Sequence, residues 1–92
     1  MSNKVLEAAV RYYGKYSQVD QLFEEMAELT KELSKNNRGS DNVSSIAEEI
    51  ADVEIMLDQM KILFNCSREV NLWRAYKVER LRHNLTKEGV IV

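Results

Sequence analysis

Leu22-Phe-Glu-Glu-Met-Ala-Glu-Leu29 recurs further along the chain as Ile46-Ala-Glu-Glu-Ile-Ala-Asp-Val53, the same pattern of apolar and acidic residues in the same register. Apolar side chains fall at Leu22, Met26, Leu29 and Leu33, then at Ile46, Ile50, Val53 and Leu57. That spacing is the core stripe of an amphipathic helix. The unit is shorter than a solenoid repeat and occurs only twice, so it predicts two helices packed side by side with equivalent faces turned inward. The second also carries Ile55, Met56, Met60, Ile62 and Leu63 and is apolar over much of its circumference. Such a helix is central to a bundle or shared with a second subunit.

Between the two halves lies Asn36-Asn-Arg-Gly-Ser-Asp-Asn42, an unmistakable loop. Upstream, Ser17-Gln-Val-Asp20 has the form of a helix start, a serine cap with an acid three residues on, and this helix is expected to reach about Lys35. A short first helix is expected over Lys4 to Tyr13, stopped near Gly14. The third runs from Val43 or Ser45 through Phe64. Asn65-Cys66-Ser67 marks a break, with Ser67 as the candidate cap of a fourth helix ending near Leu85. The tail, Thr86 to Val92, closes on Val90-Ile91-Val92 and is either frayed or packed against a neighbour. Proline is absent and glycine occurs three times, which suits long helices with few connections. The expectation is therefore an all-α, antiparallel bundle of about four helices. It forms one domain over residues 1–92, with its core at about 17–85 and a tail at 86–92.

Composition narrows the function classes. A net charge of -2 offers no general attraction for nucleic acid or an anionic membrane. No apolar run approaches the roughly 20 residues of a membrane span, and Met-Ser-Asn-Lys does not open a signal peptide. Cys66 is the sole cysteine, which points to a reduced, cytoplasmic setting and a structural thiol.

The chemistry resides in acids beside the core stripes. At about 100° per residue, Glu25 lies next to its stripe, one turn from Leu22 and Leu29, with Glu28 a further step round that flank. Glu49 and Asp52 take the matching positions on the next helix, and Met56 and Met60 frame Glu49. Ionised carboxylates against a core are costly unless a cation meets them. Within each helix the two acids are i, i+3 neighbours. Glu25, Glu28, Glu49 and Asp52 thus converge as hard oxygen ligands, without histidine or cysteine, suited to Mg2+ or Mn2+. Glu24 and Glu48 fall toward solvent, although Glu24 is placed to approach a metal-bound water. The bland alternative is that these acids merely keep a helical interaction module soluble, which leaves the repeated register unexplained.

On the fourth helix Val70, Trp73, Leu81 and Leu85 define an apolar face with Lys77 in its middle and Arg80 and Asn84 on its flanks. Lys77 either snorkels outward or meets negative charge. Together, Lys77 and Arg80 are candidates to face the carboxylates and the phosphates bound there. Lys31, Lys35 and Arg38, near the loop, are candidates to add positive charge or simply form a solvated face. Gln18, Gln21, Trp73, Tyr76 and Asn84 are candidates for contact with a base. A di-iron bundle would draw ligands from Glu-x-x-His pairs, but the only histidine, His83, follows Arg80 at that spacing, which disfavours the class.

The pattern Glu24-Glu25-Met-Ala-Glu28, a spacer, then Glu49-Ile-Ala-Asp52 resembles the MazG-like family of all-α nucleoside triphosphate pyrophosphatases, over roughly Gln18 to Asn84. The resemblance implies a magnesium site at Glu25, Glu28, Glu49 and Asp52, with basic positions similar to Lys77 and Arg80. It implies hydrolysis of a nucleoside triphosphate to the monophosphate and pyrophosphate. A mechanism then expected has a carboxylate, Glu24 or Glu28, take the proton of the attacking water, a role that spacing does not assign to either. The resemblance also implies a homo-oligomer, tetramer before dimer, whose sites neighbouring helices complete. That agrees with the excess of apolar surface on the third helix.

Overall fold

A computed structural model describes residues 3–92, so Met1 and Ser2 of the Met-Ser-Asn-Lys opening lie outside the described residues. It is all-helical: α1 spans Lys4–Tyr13, α2 Lys15–Asn37, α3 Val43–Leu63 and α4 Ser67–Lys87, with no strand among the described residues. None of these helices is long and apolar enough to cross a membrane.

Each boundary has a local cause. Asn3 caps α1, its Oδ1 accepting from the N–H groups of Val5 and Leu6 at 3.1 Å each. Gly14 then joins α1 to α2 without a loop. Its φ of 82° lies in the region glycine enters freely, its N–H donates to the Val10 carbonyl, and its carbonyl accepts from Gln18 N–H. Because this one residue closes α1 and opens α2, the helix begins at Lys15 rather than at the expected Ser17 cap. Ser17 lies inside the first turn.

The third break also falls one residue away from expectation. Asn65 takes φ 51°, and the N–H groups of Asn65 and Cys66 donate to the carbonyls of Ile62 and Lys61. This paired closure of a helix end leaves Cys66 at the cap, and Ser67 becomes the first residue of α4. In the loop after α2, Asn42 Nδ2 donates to the backbone oxygen and Oε1 of Glu32, at 2.9 and 3.0 Å, while Asn42 Oδ1 accepts from Asn36. One side chain thus ties the start of α3 to the end of α2 and sets the antiparallel hairpin.

Helices α2 and α3 form the principal pair, and α1 packs across both, mainly on α3. Helix α4 meets α3 alone, through its first turns, where Val70, Asn71 and Arg74 line a cleft with Glu54, Leu57, Asp58 and Lys61. Beyond that every residue from Asn71 to Asn84 is exposed. The arrangement is a three-helix body with a projecting arm, more open than a closed four-helix bundle. Its radius of gyration is 16.6 Å, against about 12 Å for a compact chain of this length.

The body has little interior of its own. Among the described residues Met56 is the one buried apolar side chain, whereas Ile50, Ile55 and Leu57 of α3 remain well exposed. Accessible surface totals 7490 Å², against about 5500 Å² for a compact monomer of this mass. The tail turns back so that Val92 lines a cleft with Val78, Leu81 and Leu85, but Ile91 is 96% exposed.

Candidate metal centre

The hairpin brings Glu25 of α2 to Glu49 and Asp52 of α3. One carboxylate oxygen from each lies within 4.8 Å of the others, and all three residues are half-buried. Both halves of the sequence repeat contribute, as equal registers on antiparallel neighbours require. Glu28 stands apart from this group. It is exposed, whereas Asp52 at the matching position on α3 is half-buried. Glu24 and Glu48 are exposed as well.

Glu49 is the electrostatic centre. Burial pushes its carboxyl above the usual carboxylate range, and the charges of Asp52, Glu25, Glu28 and Glu48 push it in the same direction. Its Oε2 is shielded from solvent and has no hydrogen-bond partner among the described residues. On the other side of the group, Gln21 Nε2 donates to Glu25 Oε1 at 2.7 Å, orienting that carboxylate. The ion pairs among the described residues, Glu32–Lys35, Asp58–Lys61 and Glu79–Arg82, leave the group without a basic partner.

These features fit a divalent cation. Oxygens on opposite sides of one ion are separated by about twice the bond length, roughly 4.2 Å for magnesium and up to about 5 Å for calcium. The 4.8 Å limit on the spread lies within the calcium figure and above the magnesium one, so gripping magnesium requires the three oxygens to draw together by up to about 0.6 Å. An all-oxygen donor set suits hard ions, and a shielded oxygen without a donor is a position a cation satisfies.

The basic candidates lie elsewhere in the protomer. Lys77, Arg80 and Asn84 are on the exposed arm, with the Arg80 guanidinium 5.9 Å over the Tyr76 ring and Trp73 edge-on to Tyr76 at 6.0 Å. The chain alone does not bring them to the acids. Lys31 is exposed near the loop end of α2, where its charge helps lower the Glu32 pKa. Lys35 pairs with Glu32, and Arg38 donates to Ser34 Oγ.

Gln18 is 4% exposed and Gln21 lies at the edge of the same cavity. This space of about 330 Å³ is lined by Ala9, Tyr13, Ser17, Gln18, Gln21, Met56 and Gln59. Gln59, at 6% exposure, is the residue that sequence reasoning missed. A glutamine one turn past Met56 on the apolar side of α3 was the available signal.

Comparison with known proteins returns no match: no protein-family model, curated protein or solved structure is significantly similar to this chain.

Proposed function

We propose that this chain is a magnesium-dependent nucleoside triphosphate pyrophosphohydrolase that works in the cytoplasm as a homo-oligomer. The observation that carries this reading is the meeting of Glu25, Glu49 and Asp52 within 4.8 Å, uncompensated by any cationic side chain. The EExxE and ExxD pattern, which resembles the MazG-like family, supplies the reaction.

Magnesium held by Glu25, Glu49 and Asp52, with Glu28 joining from the solvent side, would neutralise and orient the triphosphate and acidify a bound water. Glu24 or Glu28, both exposed, takes the proton of the water attacking the α-phosphorus. Gln18, Gln21, Lys31 and Asn84 are assigned to substrate contact.

Charge distribution accounts for Lys77 and Arg80. Helix α4 holds six basic residues (Arg68, Arg74, Lys77, Arg80, Arg82 and Lys87) against two acidic ones, whereas residues 1–66 hold twelve acidic against seven basic. A basic arm that leaves its own acidic body, with Leu72, Trp73, Tyr76 and Leu81 exposed along it, complements the acidic body of another copy. In this assembly Lys77 and Arg80 of one copy reach the phosphates bound by the next. A tetramer is favoured over a dimer.

The same exposed arm is what a non-catalytic interaction module would present, and one experiment separates the two. Pyrophosphate release is measured from canonical and damaged nucleoside triphosphates with magnesium, for wild type and Glu49→Gln. Turnover in the wild type and none in the folded variant supports the enzyme. Full activity in Glu49→Gln removes the metal site, and no turnover with any substrate favours the module.

A further inference from the structure

The α2–α3 hairpin has two sides, and the chain covers only one of them. Leu22, Glu25 and Leu29 of α2 and Glu49, Val53 and Met56 of α3 are half-buried or buried along the seam between the helices. The residue before each seam position lies about 100° round its helix one way, and the residue after it about 100° the other way. Because the helices are antiparallel, equal rotations on both lead to the same side of the pair.

The preceding residues mark the covered side. Gln21 shares a cavity with Ala9 and Tyr13 of α1, and Asp52 belongs to the acidic group. The following residues mark the other side. Phe23 and Met26 of α2 and Ile50 and Leu57 of α3 are all exposed, Phe23 by 57%. Leu33, seven residues after Met26, and Val43, seven before Ile50, extend the same stripes to the loop end and are exposed as well. These six positions make an apolar face without a charge. Helix α4 leaves the body from this side, since Val70 and Arg74 share a cleft with Glu54 and Leu57.

The occupant of this face is identified by area, symmetry and charge. Accessible surface exceeds that of a compact monomer of this mass by about 2000 Å². Each partner in a standard interface contributes about 800 Å². An uncharged apolar face is complementary to itself, as contact across a two-fold axis requires. Helix α4 is basic and residues 1–66 are acidic. An arm leaving on this side therefore carries charge complementary to an acidic body seated there.

We infer that a second copy of the chain seats its own α2–α3 face on this one, so that four helices form an apolar layer between protomers. The acids and α1 stay on the outer sides, which leaves the metal centre open. The inference rests on the homo-oligomer reading and names its surface: hairpin face and arm belong to one interface, continuous at Leu57. It also accounts for Ile50 and Leu57, apolar side chains of α3 that their own chain leaves exposed.

The test places charge on the face in both signs. Wild type, the double variant Phe23→Glu, Ile50→Glu and the double variant Phe23→Lys, Ile50→Lys are compared by sedimentation equilibrium and circular dichroism. Like charges brought together should weaken association at least about hundredfold in each variant alone. An equimolar mixture of the two variants should recover the wild-type mass and helicity, even where either alone is poorly folded. Wild-type mass in either variant alone, or a mixture that stays dissociated, would overturn the inference. If the wild type still assembles in that case, the homo-oligomer reading stands and only the hairpin face is lost. A monomeric wild type would sink both. Pyrophosphate release does not enter the measurement, so failure of the enzyme reading is seen separately.

Discussion

Glu25 of α2 and Glu49 of α3 place carboxylate oxygens within 4.8 Å of each other across the hairpin, with no cationic side chain paired to either. Like charges held this close oppose the fold that assembles them, and Glu49 records the conflict in its raised pKa. A carboxyl whose pKa is raised in the folded state is relatively favourable below its unfolded value, near 4.3. That advantage is lost as pH rises through the folded value. Glu49→Gln, which mimics the protonated group, should therefore raise the melting temperature at pH 7 and leave it little changed near pH 4. The wild type should gain thermal stability from millimolar Mg2+ or Mn2+, and the variant should not. A variant that melts below wild type at pH 7 would contradict the like-charge account.

The Gln21–Glu25 bond makes a second expectation. A donor that fixes the orientation of a ligating carboxylate usually contributes about 10-fold to 100-fold in metal affinity. Gln21→Leu removes the 2.7 Å bond to Glu25 Oε1 from an exposed side chain, so the helix itself should be unaffected. Manganese titration followed by electron paramagnetic resonance should show weaker binding by that factor, with an unchanged circular dichroism spectrum. Affinity equal to that of wild type would mean that Glu25 is positioned by packing alone.

Much of this site was legible in the sequence because it depends on angle. The spacing of Leu22, Met26 and Leu29 sets the inward face of α2, that of Ile46, Ile50 and Val53 sets that of α3, and the acids follow at fixed rotations from both. The i, i+3 spacing that pairs Glu28 with Glu25 also pairs Asp52 with Glu49, so spacing alone does not tell that Asp52 joins the group and Glu28 stays outside it. What periodicity does not carry is depth or partner. Gln59 lies on the apolar side of α3, but only the crossing of α1 over the hairpin makes it a cavity wall. Val70, Trp73, Leu81 and Leu85 mark a real face on α4, yet nothing in their spacing says that α4 departs from its own body. The Ser17 cap was overridden by Gly14, whose positive φ closes and opens helices in a single residue.

Asn42 provides a pH-dependent expectation away from the acids. Its hydrogen bond is the foremost cause holding the Glu32 carboxyl below its usual range, with Lys35 assisting. A depressed folded pKa contributes stability that is present above the unfolded value and lost as pH falls through the folded one. Asn42→Ala should accordingly lower the melting temperature at pH 7, and by less as pH falls below about 4. The backbone bond to Glu32, which does not titrate, should leave a residual difference at low pH. Parallel melting curves at every pH would assign the whole effect to that backbone bond.

The projecting arm gives the last expectation. Trp73 is 60% exposed and Leu81 56%, on a helix that meets its own body only at its first turns. With Met56 the one buried apolar residue among the described residues, the chain has too little interior to be stable alone, so the arm's apolar face should be covered by another copy. Sedimentation equilibrium of the wild type should give a multiple of 10.7 kDa. The double variant Trp73→Asp, Leu81→Asp should shift it to the monomer, and its melting temperature should become insensitive to protein concentration. Under the proposed assembly, in which Lys77 and Arg80 serve the acids of a neighbouring copy, the same variant should lose pyrophosphate release while its hairpin still binds manganese. A monomeric variant that retained full turnover would place the whole active site within one chain.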